Sequence, residues 1–271
     1  MRIDNPFDLS GQAALVTGAA SGLGRSISEA LVQAGASVAL LDVDQDGLAA
    51  VASALGATGA KVVTRVVDVR DRPAIREAVA SAAAEYGRLD IVFANAGVGG
   101  GPGFRDFAGQ PNEEGDIGAI SDARWDEVIS VNLDAAFTLI QAAAVQMKPR
   151  KSGRIIVTTS IASFRNQAWV GTPYMAAKAG AAHLVRQVAL ELAPYNITVN
   201  AIAPGAFATN IGGGRLKRDD IRQAMSKRIP LGRVADPTEI RGLALFLASA
   251  ASGFITGTEI PIDGGSSLVN G

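Results

Sequence analysis

A tyrosine and a lysine four residues apart, Tyr174 and Lys178, are the side chains in this sequence best suited to acid/base chemistry. A spacing of four residues on a helix places both side chains on one face, close enough to interact. A tyrosine hydroxyl has a pKa of about 10, and a neighbouring ammonium lowers that pKa by stabilising the phenolate. We therefore predict that Tyr174 exchanges a proton with a substrate oxygen, although this spacing alone is more often a surface helix pair.

Ser160 is the residue predicted to hold the reacting oxygen. It directly follows a β-branched run at 154–159 that predicts a strand, so its hydroxyl should stand at the carboxyl edge of a sheet. A hydrogen bond from that hydroxyl would stabilise charge as it develops on the oxygen. The alternative is an ordinary loop serine.

The segment 17–24, Thr-Gly-Ala-Ala-Ser-Gly-Leu-Gly, predicts a phosphate-binding turn. It follows a predicted strand and opens a predicted helix, and that arrangement binds the pyrophosphate of a dinucleotide at the helix N-terminus. Glycine permits the tight turn and the close approach of phosphate. An ordinary glycine-rich turn is the alternative. The predicted cofactor contacts in this turn are Gly18, Ser21, Gly22, Leu23 and Gly24.

Asp42 predicts NAD rather than NADP as the cofactor. It ends the second predicted strand, 18 residues beyond Gly24. A carboxylate there accepts hydrogen bonds from both ribose hydroxyls and repels a 2′-phosphate. Arg25, directly after Gly24, would instead favour NADP, but no basic residue lies in the turn itself. Val43, not a basic residue, follows Asp42, and it joins the predicted cofactor contacts. A strand-ending loop acid is the alternative.

These residues must be positioned by alternating strands and helices. Strands are predicted at Ala13–Thr17, Ser37–Asp42, 62–67, 89–94, 154–159, 197–202 and Glu259–Ile262, and the clearest helices at 23–34, 72–86, 123–147 and 174–192. The alternation predicts an α/β fold, a Rossmann-like doubly wound parallel sheet of about seven strands with helices on both faces. Such sheets bind ligands at the carboxyl ends of their strands.

The composition predicts one domain over residues 1–271, with a cofactor half at about 11–150 and a catalytic and substrate half at about 151–271. At 48% hydrophobic and 19% charged residues, the chain can bury a sizeable core. The formal net charge of −1 creates no broad field toward nucleic acid or an anionic membrane. The chain has no cysteine, which excludes disulfides and thiolate metal ligands, and no metal site is predicted.

The expected location is the cytoplasm. The first ten residues lack the basic start and apolar run of a secretory signal. We also expect no apolar stretch long and uninterrupted enough to span a bilayer.

Taken together in chain order, these motifs resemble those of the short-chain dehydrogenase/reductase family, and the resemblance runs across nearly the whole chain. Tyr174 and Lys178 match its Tyr-x-x-x-Lys pair, and the glycine spacing in 17–24 matches the family form. The residues that carry the resemblance are the 17–24 turn, Asp42, Asp68, Val69, Asn95, Ala96, Gly97, Asn132, Ser160, Tyr174, Lys178, Pro204, Gly205 and Thr209.

The resemblance implies a role for each catalytic residue. Tyr174 is then the general acid/base, Lys178 lowers its pKa and binds the nicotinamide ribose, and Ser160 positions substrate. Asn132 is the fourth member, whose helix distortion holds a water that relays protons to Lys178.

The resemblance also completes the set of cofactor contacts. Asp68 and Val69 match the pair that contacts adenine. Further along the chain, Asn95, Ala96 and Gly97 lie beside the adenosine ribose, Pro204 and Gly205 flank the nicotinamide, and Thr209 binds its carboxamide.

Two departures from the family pattern concern the substrate site. The interval from Ser160 to Tyr174 is one residue longer than usual, which makes Ser163 a weak competitor for the serine role. The connection from Gly97 to Asn132 is longer by roughly ten residues, so residues 98–121 are predicted to form a pocket wall. A plain surface connection is the alternative. Residues 206–230 are predicted to form a mobile lid.

Three other residues in this half of the chain are interpreted as structural. His183, the only histidine, follows Lys178 by five residues and is rotated away from the catalytic face of the helix. Phe164 and Trp169 could line a substrate pocket, but large aromatics are more often packing residues.

The favoured function is an NAD-dependent dehydrogenase that interconverts a secondary alcohol and a ketone, working toward oxidation, with a sugar or polyol as the leading small-molecule substrate. A 3-oxoacyl thioester (carrier-protein) reductase is the alternative, although Asp42 argues against NADPH. A non-catalytic NAD-binding sensor or scaffold is less favoured because the whole catalytic set is retained.

The resemblance implies a homotetramer, with close helix packing permitted by the alanines of 174–192.

Overall fold

A computed structural model describes residues 5–269, and these residues contain a seven-stranded parallel sheet. The strand order is β3-β2-β1-β4-β5-β6-β7. The order reverses direction at β1, which is the position where doubly wound sheets open a ligand crevice. The strands are β1 (Ala13–Thr17), β2 (Ser37–Asp42), β3 (Val62–Val66), β4 (Ile91–Ala94), β5 (Gly153–Thr158), β6 (Ile197–Pro204) and β7 (Glu259–Ile262).

Helices cover both faces of the sheet. One face packs α3, α5 and α6 through residues such as Ile75, Leu139 and Val185, and the other packs α1, α2 and α8 through Ile27, Leu48 and Leu247. The helices are α1 (Gly22–Gln33), α2 (Gln45–Gly56), α3 (Arg72–Tyr86), α4 (Asp122–Ile129), α5 (Ala135–Met147), α6 (Thr172–Leu192), α7 (Asp219–Ser226) and α8 (Arg241–Ala248). The predicted fold class is confirmed.

Two apolar cores explain why the central strands read as continuous hydrophobic runs. All five residues of β1 and all eight of β6 are buried. Along β1, Ala14 and Val16 face one core while Leu15 faces the other, because successive side chains point to opposite sides of a sheet. A strand covered on both faces cannot alternate apolar with polar residues.

Several element bounds differ from the sequence-based prediction. Strand β6 extends to Pro204, and α2, α7 and α8 were not among the predicted helices. The segment predicted as one helix over 123–147 is two helices, α4 and α5, joined by a π-helical turn at Ser130–Asp134. The turn follows from Asn132, whose side-chain amide donates to the Val98 carbonyl at 3.1 Å and to the Val128 carbonyl at 3.0 Å.

The helical stretch Asp122–Arg150 corrects the expectation that no segment could span a bilayer. It has 29 residues, and its most apolar window of 18 residues has a mean hydropathy of 1.6, enough by length and composition alone. Just over half of its most apolar window, 56%, is buried inside the protein. Leu139 and Ala143 of this stretch lie in the core beneath the sheet, so its apolar composition is accounted for by internal packing.

Candidate active site

A cleft with a volume of about 1840 Å³ runs along the carboxyl ends of the strands. Its walls include Gly18 after β1, Asn95 after β4 and Thr158 at the end of β5. This volume exceeds the roughly 300–1,000 Å³ of a pocket for one drug-sized ligand, so a dinucleotide and a second molecule can occupy it together. Every predicted site residue lines the cleft except Gly24, which lies beneath the turn, and Asn132, which lies behind Lys178.

The glycine turn between β1 and α1 is shaped for an anion. Gly18 and Gly22 have φ angles of +67° and +53°, a backbone region that favours glycine. A Cβ on Gly24 would stand 2.0 Å from the Gly18 carbonyl oxygen, so only glycine allows the helix to begin this close to the turn. Ser21 caps α1 without a side-chain hydrogen bond to the backbone. The N-terminus of α1 therefore retains donors for a phosphate group.

Asp42 lies at the end of β2, beside the glycine turn. Its carboxylate accepts hydrogen bonds from the backbone amides of Ala20 at 3.0 Å and Asp44 at 3.1 Å. Arg25, the counter-signal to NAD, does not line the cleft and pairs with Glu29 at 2.8 Å. The acid thus faces the cleft without competition from that arginine.

The end of β3 presents an ion pair that the sequence analysis missed. Arg70 lines the cleft and binds the Asp68 carboxylate at 2.5 Å. The Arg70 hydrogen bond holds the pKa of Asp68 below its usual value. The close spacing of an acid and an arginine two residues apart was the available signal. Val69, beside them, is 8% exposed and also lines the cleft.

Asn95 ties three strands together. Its amide donates to the Thr17 carbonyl at 3.0 Å, and its side-chain oxygen accepts from the Thr158 hydroxyl at 3.1 Å. The Thr17 hydroxyl in turn accepts from the backbone amides of Asn95 and Ala96. Asn95 therefore sets the shape of the cleft floor with its side chain already engaged. Gly97 lies against Asn132, where a Cβ would be 2.9 Å from the amide oxygen.

Helix α6 carries Tyr174 and Lys178 on the face that borders the cleft. The Lys178 ammonium lies 5.5 Å from the centre of the Tyr174 ring and donates to the Thr158 carbonyl at 2.8 Å. Lys178 is 3% exposed, and its burial lowers the pKa of the ammonium to about 8. The one-turn spacing therefore brings the two side chains together as predicted.

The pKa of Tyr174 moves in the direction opposite to the sequence-based prediction. Burial raises that pKa above the ordinary value, and a hydrogen bond with the Ser160 side chain opposes the rise. Burial dominates because removing a phenolate from water is costly, and the predicted lowering by Lys178 is not among the causes of the shift.

Ser160 rather than Ser163 lines the cleft. The Ser160 hydroxyl lines the cleft and accepts from the Ala162 backbone amide at 3.1 Å. The Ser163 hydroxyl is directed elsewhere, with contacts of 2.6 Å to the Ser160 carbonyl and 2.6 Å to the Glu259 carboxylate. The extra residue in this loop is thus absorbed without exchanging the two serines.

Asn132 has an unsatisfied polar atom behind Lys178. Its side-chain oxygen is buried and lacks a hydrogen-bond partner among residues 5–269. A cavity of about 10 Å³ is lined by Asn132, Thr158 and Lys178. That volume is at the lower limit of what one water molecule needs, and the orphaned oxygen offers it an acceptor.

The predicted wall, residues 98–121, and the predicted lid, residues 206–230, both border the cleft. Gly100 of the wall packs on the acid/base residue, and a Cβ there would be 2.4 Å from the Tyr174 Cβ. Trp169 also lines the cleft, contrary to the packing role favoured from sequence, whereas Phe164 is 48% exposed and lies outside it. His183 lies on the exposed side of α6 near Arg186.

The site fits a nicotinamide dinucleotide and, over the residues the structure describes, offers nothing for a metal. The anion-shaped turn, the acid at the end of β2 and the size of the cleft match the cofactor. Pro204, Gly205 and Thr209 line its other end, where the Gly205 amide donates to the Ile262 carbonyl at 3.0 Å. No cluster of three potential metal ligands occurs between residues 5 and 269.

Comparison with known sequences agrees with this geometry. A family model described as enoyl-(acyl carrier protein) reductase matches residues 18–267. The BbsD subunit of (2S)-[(R)-hydroxy(phenyl)methyl]succinyl-CoA dehydrogenase from Thauera aromatica is 34% identical over 97% of this chain and 99% of its own. The 3-oxoacyl-[acyl-carrier-protein] reductase FabG from Vibrio harveyi is 33% identical over 97% of this chain and 100% of its own.

Solved structures give the same result. A short-chain type dehydrogenase/reductase from Mycobacterium marinum superposes with a TM-score of 0.87 at 32% identity, covering 97% of this chain and 98% of that one. A gluconate 5-dehydrogenase from Burkholderia cenocepacia, in complex with NADP and tartrate, has a TM-score of 0.87 at 30% identity and 98% coverage of both chains. With matches above 30% identity over nearly its full length, this chain belongs to the short-chain dehydrogenase/reductase family of oxidoreductases, which bind nicotinamide cofactors and act on CH–OH groups.

Proposed function

We propose that this protein is an NAD(H)-dependent oxidoreductase that interconverts a secondary alcohol and a ketone. The observation that carries the proposal is the meeting of Ser160, Tyr174 and Lys178 on the cleft wall that the glycine turn also borders. When bound, the nicotinamide supplies the hydride acceptor for oxidation and the hydride donor for reduction. The chain supplies proton transfer, orientation and exclusion of water.

Each catalytic side chain has a separate task in this proposal. The Tyr174 hydroxyl takes the proton from the carbinol oxygen during oxidation and returns it during reduction. The Ser160 hydroxyl holds the same oxygen by a hydrogen bond. Lys178 supplies a positive charge beside the phenolate and a donor for the nicotinamide ribose. Asn132 positions a water in the small cavity behind Lys178, through which protons return to solvent.

The cofactor contacts follow the order of the strands. The turn residues Gly18, Ser21, Gly22, Leu23 and Gly24 hold the pyrophosphate. Asp42 binds the ribose hydroxyls, with Val43 beside it. The contacts proposed for the rest of the cofactor are Asp68 and Val69 at adenine, Asn95, Ala96 and Gly97 at the adenosine ribose, Pro204 and Gly205 at nicotinamide, and Thr209 at its carboxamide.

The proposed choice of NAD rests on charge. The Asp42 carboxylate borders the cleft and would repel a 2′-phosphate. The two arginines nearest in sequence to the cofactor motifs are each paired with an acid, Arg25 with Glu29 and Arg70 with Asp68. Neither is free to bind a phosphate without giving up its carboxylate. The relative from Burkholderia cenocepacia binds NADP, so the ratio of kcat/KM with NAD to kcat/KM with NADP is the measurement that tests this choice.

Sugars and polyols are the leading substrate class in this proposal, supported by the likeness to a gluconate 5-dehydrogenase. Reduction of a 3-oxoacyl thioester is the second candidate, supported by the likeness to a carrier-protein reductase at similar identity. Asp42 disfavours the second, since it opposes NADPH. A silent sensor or scaffold is the least favoured, because all four catalytic residues are retained.

We also propose one domain, a homotetrameric assembly and a cytoplasmic location. The continuous sheet, with β1 bonded to both β2 and β4, supports a single domain. Exposed apolar side chains on α5 and α6, such as Phe137, Val145 and Leu190, support contact with further copies of the chain. Neither nucleic acid nor a membrane is proposed as a partner, in keeping with the near-zero net charge.

The decisive experiment is a substrate screen with purified protein. Sugars, polyols, hydroxy acids, cyclic alcohols and hydroxyacyl thioesters are each supplied with NAD and, separately, with NADP, while nicotinamide absorbance is followed. We expect turnover of at least one alcohol, with higher kcat/KM for NAD. Tight NADH binding without turnover across the panel would instead support the sensor hypothesis.

A further inference from the structure

The lid, residues 206–230, carries six cations that fall into three groups. One of them, Lys217, donates a hydrogen bond to the Asn210 side chain and does not line the cleft. Two face solvent and are neutralised, since Arg218 pairs with Asp220 at 2.8 Å and Arg222 pairs with Asp219 at 2.6 Å. Three others, Arg215, Lys227 and Arg228, line the cleft. Within the described part of the chain, no carboxylate lies within ion-pair distance of those three. Three of the four lid cations that lack an acidic partner in the described part of the chain therefore line the cleft.

The two cleft-facing arginines are held in place by aromatic rings rather than by acids. The Arg228 guanidinium lies 4.8 Å from the centre of the Trp169 ring, and the Arg215 guanidinium lies 6.0 Å from that of Phe107. The two rings are 6.2 Å apart. Arg228 also donates a hydrogen bond to the Phe107 carbonyl. Aromatic faces orient a guanidinium without removing its charge, so each arginine keeps donors for a ligand.

The opposite wall adds another cation. Arg165, in the loop after Ser160, lines the cleft and donates to the Val269 carbonyl rather than to an acid. Two glutamates also border this region. Glu127 is already paired with Arg124 at 2.7 Å, and only Glu114 lines it without an ion pair among residues 5–269. Positive charge therefore predominates at the substrate end, whereas Asp42 and Asp68 lie at the cofactor end.

We propose that the substrate carries an anionic group, a carboxylate or a phosphate, and that Arg215 and Arg228 bind it from the lid. This inference rests on the proposed dehydrogenase function and narrows its substrate to a charged alcohol or ketone. Planar guanidinium groups bind both anions through paired hydrogen bonds. A cleft of uncompensated cations also concentrates anions before they bind. Binding energy from this remote group would hold the carbinol against Tyr174 and Ser160.

Matched substrates distinguish the two anion sources. One arm compares an aldonate with the alditol of equal length, which lacks only the carboxylate. The other compares a hydroxyacyl-4′-phosphopantetheine thioester with the pantetheine thioester, which lacks only the phosphate. We expect the anionic member of one pair to have a kcat/KM roughly ten-fold or more above its neutral partner, the effect of one charge-assisted contact. Equal efficiency within both pairs would overturn the proposal.

Substitutions in the lid test whether its arginines cause the preference for the anionic substrate. Arg215→Gln and Arg228→Gln should each raise KM for the anionic substrate roughly ten-fold, while KM for the neutral partner and NADH affinity stay unchanged. Arg218→Gln is the matched control, an arginine of the same lid that is paired and faces solvent. An equal rise for anionic and neutral substrates would mean that the arginines only hold the lid closed. Arg215→Lys, which keeps the charge, should retain much of the preference if Arg215→Gln proves unstable.

A binding measurement without turnover separates this inference from the proposed function. The chain has two tryptophans, and Trp125→Phe leaves Trp169, stacked on Arg228, as the fluorescent reporter. Malonate, which has two carboxylates and no carbinol, should change this fluorescence in the NADH complex, and added salt should weaken the response. The response should disappear in Arg228→Gln. Malonate binding without oxidation of any alcohol would refute the dehydrogenase and retain the anion site, whereas no response in an active enzyme would refute the site alone.

Discussion

At the scale of single residues, burial shifts the pKa values of the two groups proposed for proton transfer in opposite directions. It raises the pKa of the Tyr174 hydroxyl and lowers that of the Lys178 ammonium to about 8. Both shifts favour the neutral form of the group, because a charged group loses solvation when it leaves water. The protonation states of both groups should therefore change when a bound ligand brings a compensating charge.

The pH dependence of turnover should follow from these directions. Oxidation requires deprotonated Tyr174, so kcat/KM for the alcohol should rise from neutral toward alkaline pH, and reduction should fall over the same range. Lys178 loses its charge above about pH 8, and because the pKa of Tyr174 lies above its ordinary value, the oxidation rate should rise up to about pH 8 and then level off. Initial rates in both directions between about pH 6 and about pH 10 measure this. An oxidation rate that falls steadily as the pH rises across this range would contradict the prediction.

Tyr174→Phe should reduce kcat by roughly 10²–10⁴-fold, because the substitution removes only the hydroxyl that transfers the proton. NADH affinity, measured by fluorescence titration, should change little. Tyr195→Phe is the matched control, because it also removes one tyrosine hydroxyl and Tyr195 lies outside the cleft. Substantial activity in Tyr174→Phe would mean that another group donates the proton.

Substitution of Asp42 should erode the preference for NAD. Asp42→Asn keeps an acceptor for the Ala20 amide but removes the charge, so the NAD to NADP ratio of kcat/KM should fall roughly ten-fold or more. Asp46→Asn, a nearby exposed acid in the first turn of α2, controls for net charge. A ratio that stays the same in Asp42→Asn, or that favours NADP in the unmodified protein, would refute the assignment.

At the scale of elements, the wall at 98–121 supports the catalytic helix. Gly100→Ala should lower kcat, because its Cβ would stand 2.4 Å from the Tyr174 Cβ and push the helix or the wall away. We expect a loss of about ten-fold or more, since a displacement of about 1 Å can cost 10²-fold. Gly118→Ala is the control within the same wall, where the added Cβ meets its nearest atom at 3.4 Å. Equal kinetics in the two variants would show that Tyr174 tolerates the change.

The lid at 206–230 combines a flexible connection with the charged groups described above. Gly212, Gly213 and Gly214 adopt φ angles of +62°, +74° and +70°, three successive residues in a region that favours glycine. The short helix α7 follows them. That the lid closes over a bound ligand stays a prediction, and these glycines are where a hinge would act.

At the scale of the whole molecule, a single chain leaves apolar surface uncovered. Phe137 and Val145 on α5 are 41% and 65% exposed, and Leu190 on α6 is 75% exposed. Apolar side chains exposed together on packed helices are typical of an interface between subunits. The proposed tetramer would cover this surface with further copies of the same helices.

Light scattering at micromolar concentration should therefore give the mass of four chains. Val145→Glu should lower that mass, because a buried unpaired carboxylate opposes association. Ile117→Glu, an equally exposed apolar position in the wall, should leave the mass unchanged. A monomer in the unmodified protein would refute the assembly.

The sequence by itself determined the fold class and the local motifs. The alternation of apolar runs and helical segments specified a parallel sheet, and contiguous residues formed the glycine turn at 17–24. The spacing of Tyr174 and Lys178 placed both on one helical face, since helix geometry is set by neighbours along the chain. The distortion expected at Asn132 by resemblance is the π-helical turn.

The tertiary structure decided everything that depends on contacts between distant residues. Glu259, 96 positions beyond Ser163, engages that serine and leaves Ser160 for the cleft. The engaged side chain of Asn95 depends on Thr17 and Thr158, which belong to other strands. The directions of the pKa shifts depend on desolvation. The charge that the lid presents to the cleft depends on which of its arginines pair with an acid. Burial and long-range pairing are properties of the packed chain, so no local pattern could have revealed them.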